Sequence, residues 1–342
     1  MIRILHILPD ISISNGAAGA VVGWHRNIDR SKVQFDYLIC RKASKTYEGE
    51  ILALGGRVHM LKPGRLPVGD IIHSHVTQLG FFYFPAARLY GVKNIIQHSH
   101  STAYSFNWFK AMVNRFLFLL ARPFSTRRIA VSQKAGEFLF GKNASFTVIA
   151  NGVDLGRFYP AKSKEEAKKL YGVQGKTVLG HAGRFSKEKN HKFLIDVFSR
   201  YLIIDKNAVL ILAGQGPLEA EIKNYTASKN LRDKVIFVGI MEDLRPFYSA
   251  LDILVFPSIS EGFGLVPLEA AACAVPSLVS DALAPEAACA LIKRLPLGNA
   301  GQWAEEIQKI LQSPAAKECH LPDIKQSAAA LEKIYFGAVG PC

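Results

Sequence analysis

The sequence predicts an α/β protein made of two successive, doubly wound parallel-sheet domains. Three observations predict it. Short apolar runs alternate with longer amphipathic segments, as strands alternate with crossover helices. The alternation restarts after a seam at 151–164, where Asn151-Gly152 and Pro160 are turn signals ahead of a charged helix. The chain has 342 residues, 49% of them hydrophobic, enough for two cores at about 150 residues per domain.

The elements follow in order. Residues 2–8 are apolar and stop at Pro9-Asp10; the run is too short for a secretory leader and reads as a buried first strand. Further strands are expected at 34–40, 57–60, 70–74, 94–98, 128–131 and 146–149, with helices at 17–28 and 133–140. After the seam, strands are expected at 177–181, 209–213, 235–238, 253–256 and 277–279, with helices at 189–202, 217–228, 266–274 and 302–311. The expected domains are 1–155 and 156–315, followed by a helical tail, 316–342, that returns to the first domain. A ligand is then expected between the domains, beyond the carboxyl ends of the strands. No uncharged apolar run approaches the roughly 18 residues of a spanning helix.

Composition narrows the partners. Formal net charge is +14, and residues 1–153 carry most of it, with 19 Lys/Arg against 7 Asp/Glu. Such asymmetry points to one surface that meets an anion: nucleic acid, a membrane or a phosphorylated ligand. The five cysteines (Cys40, Cys273, Cys289, Cys319, Cys342) are odd in number and scattered, which predicts reduced thiols in a cytoplasmic protein.

Five segments carry chemistry. Ser14-Asn-Gly16-Ala-Ala-Gly19 follows the first strand, where glycines let backbone N–H groups approach a phosphate; an ordinary turn is the competing reading. His73-Ser-His75 and His98-Ser-His100-Ser101 each end a strand. In an extended segment both histidines of H-x-H face one way. No Asp, Glu or Cys adjoins either motif, so hydrogen bonding is favoured over metal ligation, and His73 and His98 read as the more structural pair. Gly183-Arg184 with Lys187, Lys189, Asn190 and His191 sets cations between a strand and a helix start, which suits a diphosphate. Glu261-Gly-Phe263-Gly264-Leu265, ending at Glu269, frames a strand–turn–helix unit with two carboxylates able to accept from sugar and ribose hydroxyls. Last, 106–128 is an aromatic helix with a polar stripe of Asn107, Lys110, Asn114, Arg115 and Arg122, which suits a membrane interface.

Together these motifs resemble glycosyltransferase family 4, the retaining nucleotide-sugar transferases of the GT-B fold, and within it the bacterial exopolysaccharide and capsule branch. The resemblance runs from Ile2 to about Ile310 and includes Asp70-Ile-Ile-His-Ser-His75, Ala130-Val-Ser132, Ala213-Gly-Gln-Gly-Pro217 and the E-x7-E element Glu261–Glu269. It implies that two Rossmann-like domains face a cleft. It implies that Arg184 and Lys189 neutralise the donor diphosphate, that Glu269 binds the ribose, and that Glu261 holds the sugar with the amides of Phe263 and Gly264. His100 then sits near the transferred sugar, Gly16 borders the diphosphate, and 239–243 touch the base. His75, Ser101, Gly183, Gly239 and Leu265 complete the expected substrate contacts. The implied donor is a UDP-sugar, with no cofactor and no metal; a D-x-D motif is absent from the sequence. The implied acceptor is a glycan or polyprenyl-diphosphate-linked intermediate, met at the cytoplasmic face of an anionic inner membrane. The chain departs from the pattern at Ala17, at Ala274-Val275-Pro276, and in a short stretch from Met60 to Asp70. A UDP-sugar epimerase of the same fold and a non-catalytic nucleotide-sugar-binding subunit are the competing readings. Nucleic-acid binding would explain the charge and none of the motifs.

Overall fold

The computed structural model describes residues 1–62, 67–76, 79–313 and 319–339. The chain forms two compact units, 1–152 with 322–342, and 153–321.

In the first unit the order is β1 (Ile2–Leu8), α1 (Gly16–Asn27), β2 (Val33–Ile39), α2 (Glu48–Ala53), β3 (Val58–Met60), β4 (Ile71–Ser74), α3 (Gly80–Leu89), β5 (Asn94–Ser99), α4 (Trp108–Ala121), β6 (Arg127–Ala130), α5 (Gln133–Phe140) and β7 (Thr147–Val148). The second holds α6 (Lys164–Lys169), β8 (Val178–Ala182), α7 (His191–Ile204), β9 (Val209–Ala213), α8 (Glu219–Ser228), β10 (Val235–Gly239), α9 (Arg245–Ala250), β11 (Ile253–Phe256), α10 (Leu265–Ala272), β12 (Ser277–Val279), β13 (Ile292–Arg294) and α11 (Ala300–Gln312). Helix α12 (Ile324–Val339) belongs to the first unit.

Both sheets are parallel, ordered β3-β2-β1-β4-β5-β6-β7 and β10-β9-β8-β11-β12-β13. The expected α/β class therefore holds in both units. Each order turns back once, between β1 and β4 and between β8 and β11. At those points the connections leave in opposite directions and open a crevice at the carboxyl ends.

The strands are buried because helices cover both faces. In the first unit Leu5, Ile7, Ile72 and Ile95 pack with Phe84 of α3 and Ala121 of α4. In the second, Leu179, Leu210 and Val255 pack with Phe198, Tyr201 and Trp303. Capping fixes several helix starts: Ser132 accepts from Ala135 N at 3.1 Å, and Asn299 from Gly301 N at 2.8 Å.

Sequence periodicity missed α3, whose internal Pro85 and near-continuous apolar run hide the helical pattern, and the three-residue edge strand β13. The expected boundary at 315 and the middle of the Met60–Asp70 stretch, 63–66, lie outside the described residues.

The cysteine expectation is corrected. Cys289 and Cys319, thirty residues apart in sequence, form a disulfide with Cα atoms 5.6 Å apart. Cys40 and Cys273 are free, and Cys342 lies outside the described residues. Spacing misled because the fold brings the end of the second unit back to the loop before β13.

Helix α12 is anchored along its length. Asn94 Nδ2 donates to Ala338 O at 2.9 Å and Arg127 to Gly337 O at 2.7 Å, and the side chain of Ile324 lies over Gly23 of α1. At the entry to α12, a Cβ on Gly152 would lie 2.2 Å from Ile324 N and 2.4 Å from Asp323 C, both backbone atoms. Gly152→Ala is therefore expected to cost about 1–3 kcal/mol by overpacking, while Gly16→Ala, with nothing within 4 Å of its Cβ, leaves the thermal midpoint unchanged. Equal midpoints for the two variants in thermal melts would refute the close approach.

Candidate active site

The second unit gathers four loops at the carboxyl ends of its central strands. Gly183 N donates to Ala213 O at 2.9 Å, and Gly214 N to Gly239 O at 2.7 Å, tying together the loops after β8, β9 and β10. The loop after β11 joins them through Ile259 N, which donates to Glu188 O at 2.7 Å. Two charged groups meet here: Lys189 Nζ lies 2.5 Å from Glu261 Oε1. Both are partly shielded from solvent, and the ammonium also sits 4.7 Å from the centroid of the Phe256 ring. Gly183 leaves room for the Lys189 stem, since a Cβ there would stand 3.4 Å from its Cγ and Cδ. Arg184 is exposed on the same loop.

The Gly-Phe-Gly turn folds as a helix start. Gly264 caps α10 with φ +98°, a left-handed conformation that favours glycine, and a Cβ there would strike Leu283. Phe263 is buried beneath the turn, and Leu265 is the first residue of α10. One turn on, Glu269 accepts a 2.7 Å hydrogen bond from the Tyr248 hydroxyl. Burial raises the Glu269 carboxyl above its ordinary pKa, while the Tyr248 hydroxyl and the charge of Arg157 pull it down. Tyr248 is a partner the motif did not reveal, because it lies on α9, outside the strand–turn–helix unit.

In the first unit His6, His73, His75, His98 and His100 stack in a single layer. His75 Nδ1 lies 2.7 Å from His100 Nε2, and His75 Nε2 lies 2.9 Å from His6 Nδ1. A second chain runs from Tyr335 Oη to His73 Nδ1 at 2.7 Å, and from His73 Nε2 to His98 Nδ1 at 3.0 Å. Trp24 stacks on His98 at 5.6 Å with ring planes 7° apart. Burial first, and then mutual repulsion, holds the His6, His75 and His98 pKa values well below that of free imidazole. Burial likewise takes His73 and His100 down to about 3. The layer is therefore neutral at neutral pH.

Hydrogen bonds pair His73 with His98 and His75 with His100, and ring contacts stack the two pairs against each other in one layer. His6 was missed, although the parallel register pairs it with His73. Tyr335 was missed because nothing local links it to the layer.

Two further expected contacts make only local hydrogen bonds or stand beside a filled cap. Ser101 is exposed and its Oγ turns to Ala103 O at 2.9 Å. Gly16 is exposed at the start of α1, where the Asn15 side chain accepts from the Ala17 and Ala18 amides at 3.1 and 3.4 Å. Those N–H groups are occupied by the cap.

Helix α4 buries only Phe118 and Ala121. Trp108, Phe109, Met112 and Phe116 are 73%, 62%, 61% and 61% exposed, with Lys110 and Arg115 exposed beside them. Among the described residues no helix is long and apolar enough to cross a membrane.

The Tyr248–Glu269 bond makes a pH-resolved prediction. The hydroxyl favours the ionised carboxylate, so Tyr248→Phe raises the Glu269 pKa further. Its cost, about 1–3 kcal/mol, is full where Glu269 is ionised and shrinks as pH falls through the folded pKa. Urea melts at pH 8 and pH 5 should show the larger loss at pH 8; an equal loss at both would place the hydroxyl's role in packing alone.

Comparison with known proteins agrees with this architecture. The family model described as glycosyl transferases group 1 matches residues 162–323. The chain is 31% identical to a Bacillus subtilis (strain 168) protein described as glycosyltransferase EpsF, over 97% of this chain and 96% of that one. It is 30% identical to the Escherichia coli UDP-Gal:alpha-D-GlcNAc-diphosphoundecaprenol alpha-1,3-galactosyltransferase, over 62% of this chain and 58% of that one. Among solved structures, Anabaena HepE in complex with UDP and glucose superposes with a TM-score of 0.76 at 19% identity, covering 99% of this chain and 96% of that one. Two parallel sheets of GT-B type, with a relative matched along nearly its whole length, place this chain in the group 1 glycosyltransferases, family 4.

Proposed function

We propose that the protein is a retaining hexosyltransferase that moves a sugar from a UDP-sugar to a hydroxyl of a glycan or lipid-linked oligosaccharide in surface-polysaccharide synthesis. The observation that carries this reading is the convergence of Arg184, Lys189, Glu261 and the α10 amino terminus on tied loops of one unit. The names of the E. coli galactosyltransferase and of the HepE complex support a UDP-sugar donor, and the former supports a diphosphate-lipid acceptor.

The chemistry asks for stabilisation of a leaving diphosphate as the sugar becomes oxocarbenium-like. Fixed cations and oriented N–H groups meet that demand without waiting for solvent to reorganise. Lys189 is already held by Glu261, so the ammonium is in place before the donor arrives. When the diphosphate binds, it competes for that ammonium and frees Glu261 to accept from sugar hydroxyls. Glu269, with one oxygen engaged by Tyr248, keeps the other for the ribose diol. Gly183, Gly239, Phe263, Gly264 and Leu265 shape the walls. From the first unit, neutral His100 donates or accepts a hydrogen bond at the transferred sugar, backed by His75, and Gly16 and Ser101 lie on the acceptor side. Transfer in this reading is independent of metal and cofactor.

The exposed aromatic face of α4 and its neighbouring cations dock the protein on the cytoplasmic face of an anionic membrane, where a polyprenyl-linked acceptor is presented. Aromatic rings at headgroup depth and lysines near phosphates are the groups such a surface rewards.

Two predictions follow from this assignment. With a UDP-hexose panel and a lipid-linked acceptor, Arg184→Ala and Lys189→Ala should each lower turnover about 100-fold or more, with unchanged circular dichroism and with wild-type transfer persisting in EDTA. Near-normal turnover in either variant removes the diphosphate role, and conversion of donor without acceptor favours an epimerase. In vesicle sedimentation, replacing Lys110, Arg115 and Arg122 together by Glu should abolish binding to anionic vesicles; unchanged sedimentation would sink the docking role of α4.

A further inference from the structure

The histidine layer has more ring nitrogens than hydrogen bonding uses. Among the described residues, His75, His98 and His100 each offer one ring nitrogen, all within 4.8 Å of one another. His98 Nε2 is buried and has no hydrogen-bond partner. We propose that these three imidazoles form a binding site for a borderline divalent transition-metal ion, Zn2+ or Co2+ in class, in the first unit and separate from the donor-diphosphate residues.

The surrounding hydrogen bonds support this choice of ligands. A metal-binding imidazole needs a free lone pair on one nitrogen and a partner for the N–H on the other. His98 Nδ1 can donate to His73 Nε2, and His73 Nδ1 can then donate to Tyr335 Oη. That tautomer leaves a lone pair on His98 Nε2, the atom without a partner. His75 Nε2 can donate to His6 Nδ1, which leaves its Nδ1 lone pair directed toward His100 Nε2, 2.7 Å away. In the empty site neutral His100 can donate its Nε2–H to that lone pair; a shift of the His100 proton to Nδ1 turns Nε2 into a second lone pair, and a metal would then take the proton's place with a modest opening of the gap. His6, His73 and Tyr335 thus act as an outer shell that fixes two of the three ligand tautomers. Trp24, stacked on His98, fixes the plane of that ring.

The chemistry of the set selects the ion. Three neutral imidazoles suit Zn2+, Co2+, Ni2+ or Cu2+, and are poor ligands for Mg2+, which prefers oxygen. Three protein ligands leave a fourth position for water or another small ligand. His100 is the least buried of the three and gives the ion a way in. Because the rings are neutral already, binding requires no loss of protons from them.

The other triple, His6, His73 and His75, also lies within reach of a single ion. It fits less well, because His73 has both nitrogens engaged, with His98 and with Tyr335. Breaking that pair would leave buried polar groups unsatisfied.

The test uses the full chain without a polyhistidine tag, stripped with EDTA and dialysed, and titrated with Co2+ alone and then Zn2+ alone. One Co2+ per chain is expected, with the intense visible absorption of a four-coordinate ion, and Zn2+ should displace it. His98→Gln and His100→Gln should weaken binding at least about 100-fold, and the outer-shell variant Tyr335→Phe about 10-fold. The exposed control His320→Gln should bind as wild type. Should a histidine variant fail to fold, zinc K-edge absorption on the wild type still decides, since three imidazoles are expected. No stoichiometric binding by folded wild type, fewer than two imidazoles at the edge, or wild-type affinity in both His98→Gln and His100→Gln would each overturn the site. Transfer activity is not the readout, so failure here leaves the glycosyltransferase assignment standing, and failure of that assignment leaves this site standing.

Discussion

A buried imidazole with two nitrogens away from water must find something for each of them. His73 finds His98 on one side and Tyr335 on the other, and that hydroxyl comes from 262 residues along the chain. Much of the first unit follows from this. The sheet order turns back at β1, so the ends of β1, β4 and β5 present side chains into one crevice. Histidines placed there cannot all charge, because burial and mutual repulsion oppose it. They settle as neutral rings in two hydrogen-bonded chains, and α12 supplies the end group of one chain. A helix whose carbonyls accept from the Asn94 and Arg127 side chains keeps that end group in place.

The second unit solves a different problem. Its half of the sequence is close to neutral, yet its loops hold charge where a phosphate would need it. Lys189 and Glu261 satisfy each other in the free protein, which keeps a partly shielded ammonium from standing unpaired. Glu269 and Tyr248 repeat the device with a hydroxyl in place of a cation. In both pairs a neighbour holds the functional group in one geometry and leaves part of it free. The basic excess of the first unit has no such pairing in the imidazole layer, which is neutral. It comes from lysines and arginines, some of them beside the exposed rings of α4.

Legibility in the sequence tracked how local each feature is. Strand–turn–helix units such as Glu261 to Glu269 can be read because every part lies within ten residues and one period governs each piece. The doubled H-x-H could be read as a pair of strand ends, since alternation puts both rings on one face. That the two ends merge with His6 into one layer depends on strand order, which no single segment encodes. Tyr248 and Tyr335 escaped for the same reason: each is an ordinary buried tyrosine until the fold brings a carboxylate or an imidazole to it. Helix α3 was hidden by Pro85 and by apolar residues all round, which removes the periodic signal. The Cys289–Cys319 bond was hidden because the two thiols meet only after the second unit has closed on itself.

The return of α12 to the first unit also sets an order of events during synthesis. A ribosome delivers residues 1–152 long before it delivers Tyr335, and until then His73 lacks its hydroxyl partner and α1 lacks the side chain of Ile324 over Gly23. The second unit, continuous from 153 to 321, emerges with all of its core already on the chain. The half made first is therefore the half completed last, and it waits as a partly covered sheet with an open histidine crevice while the later half folds.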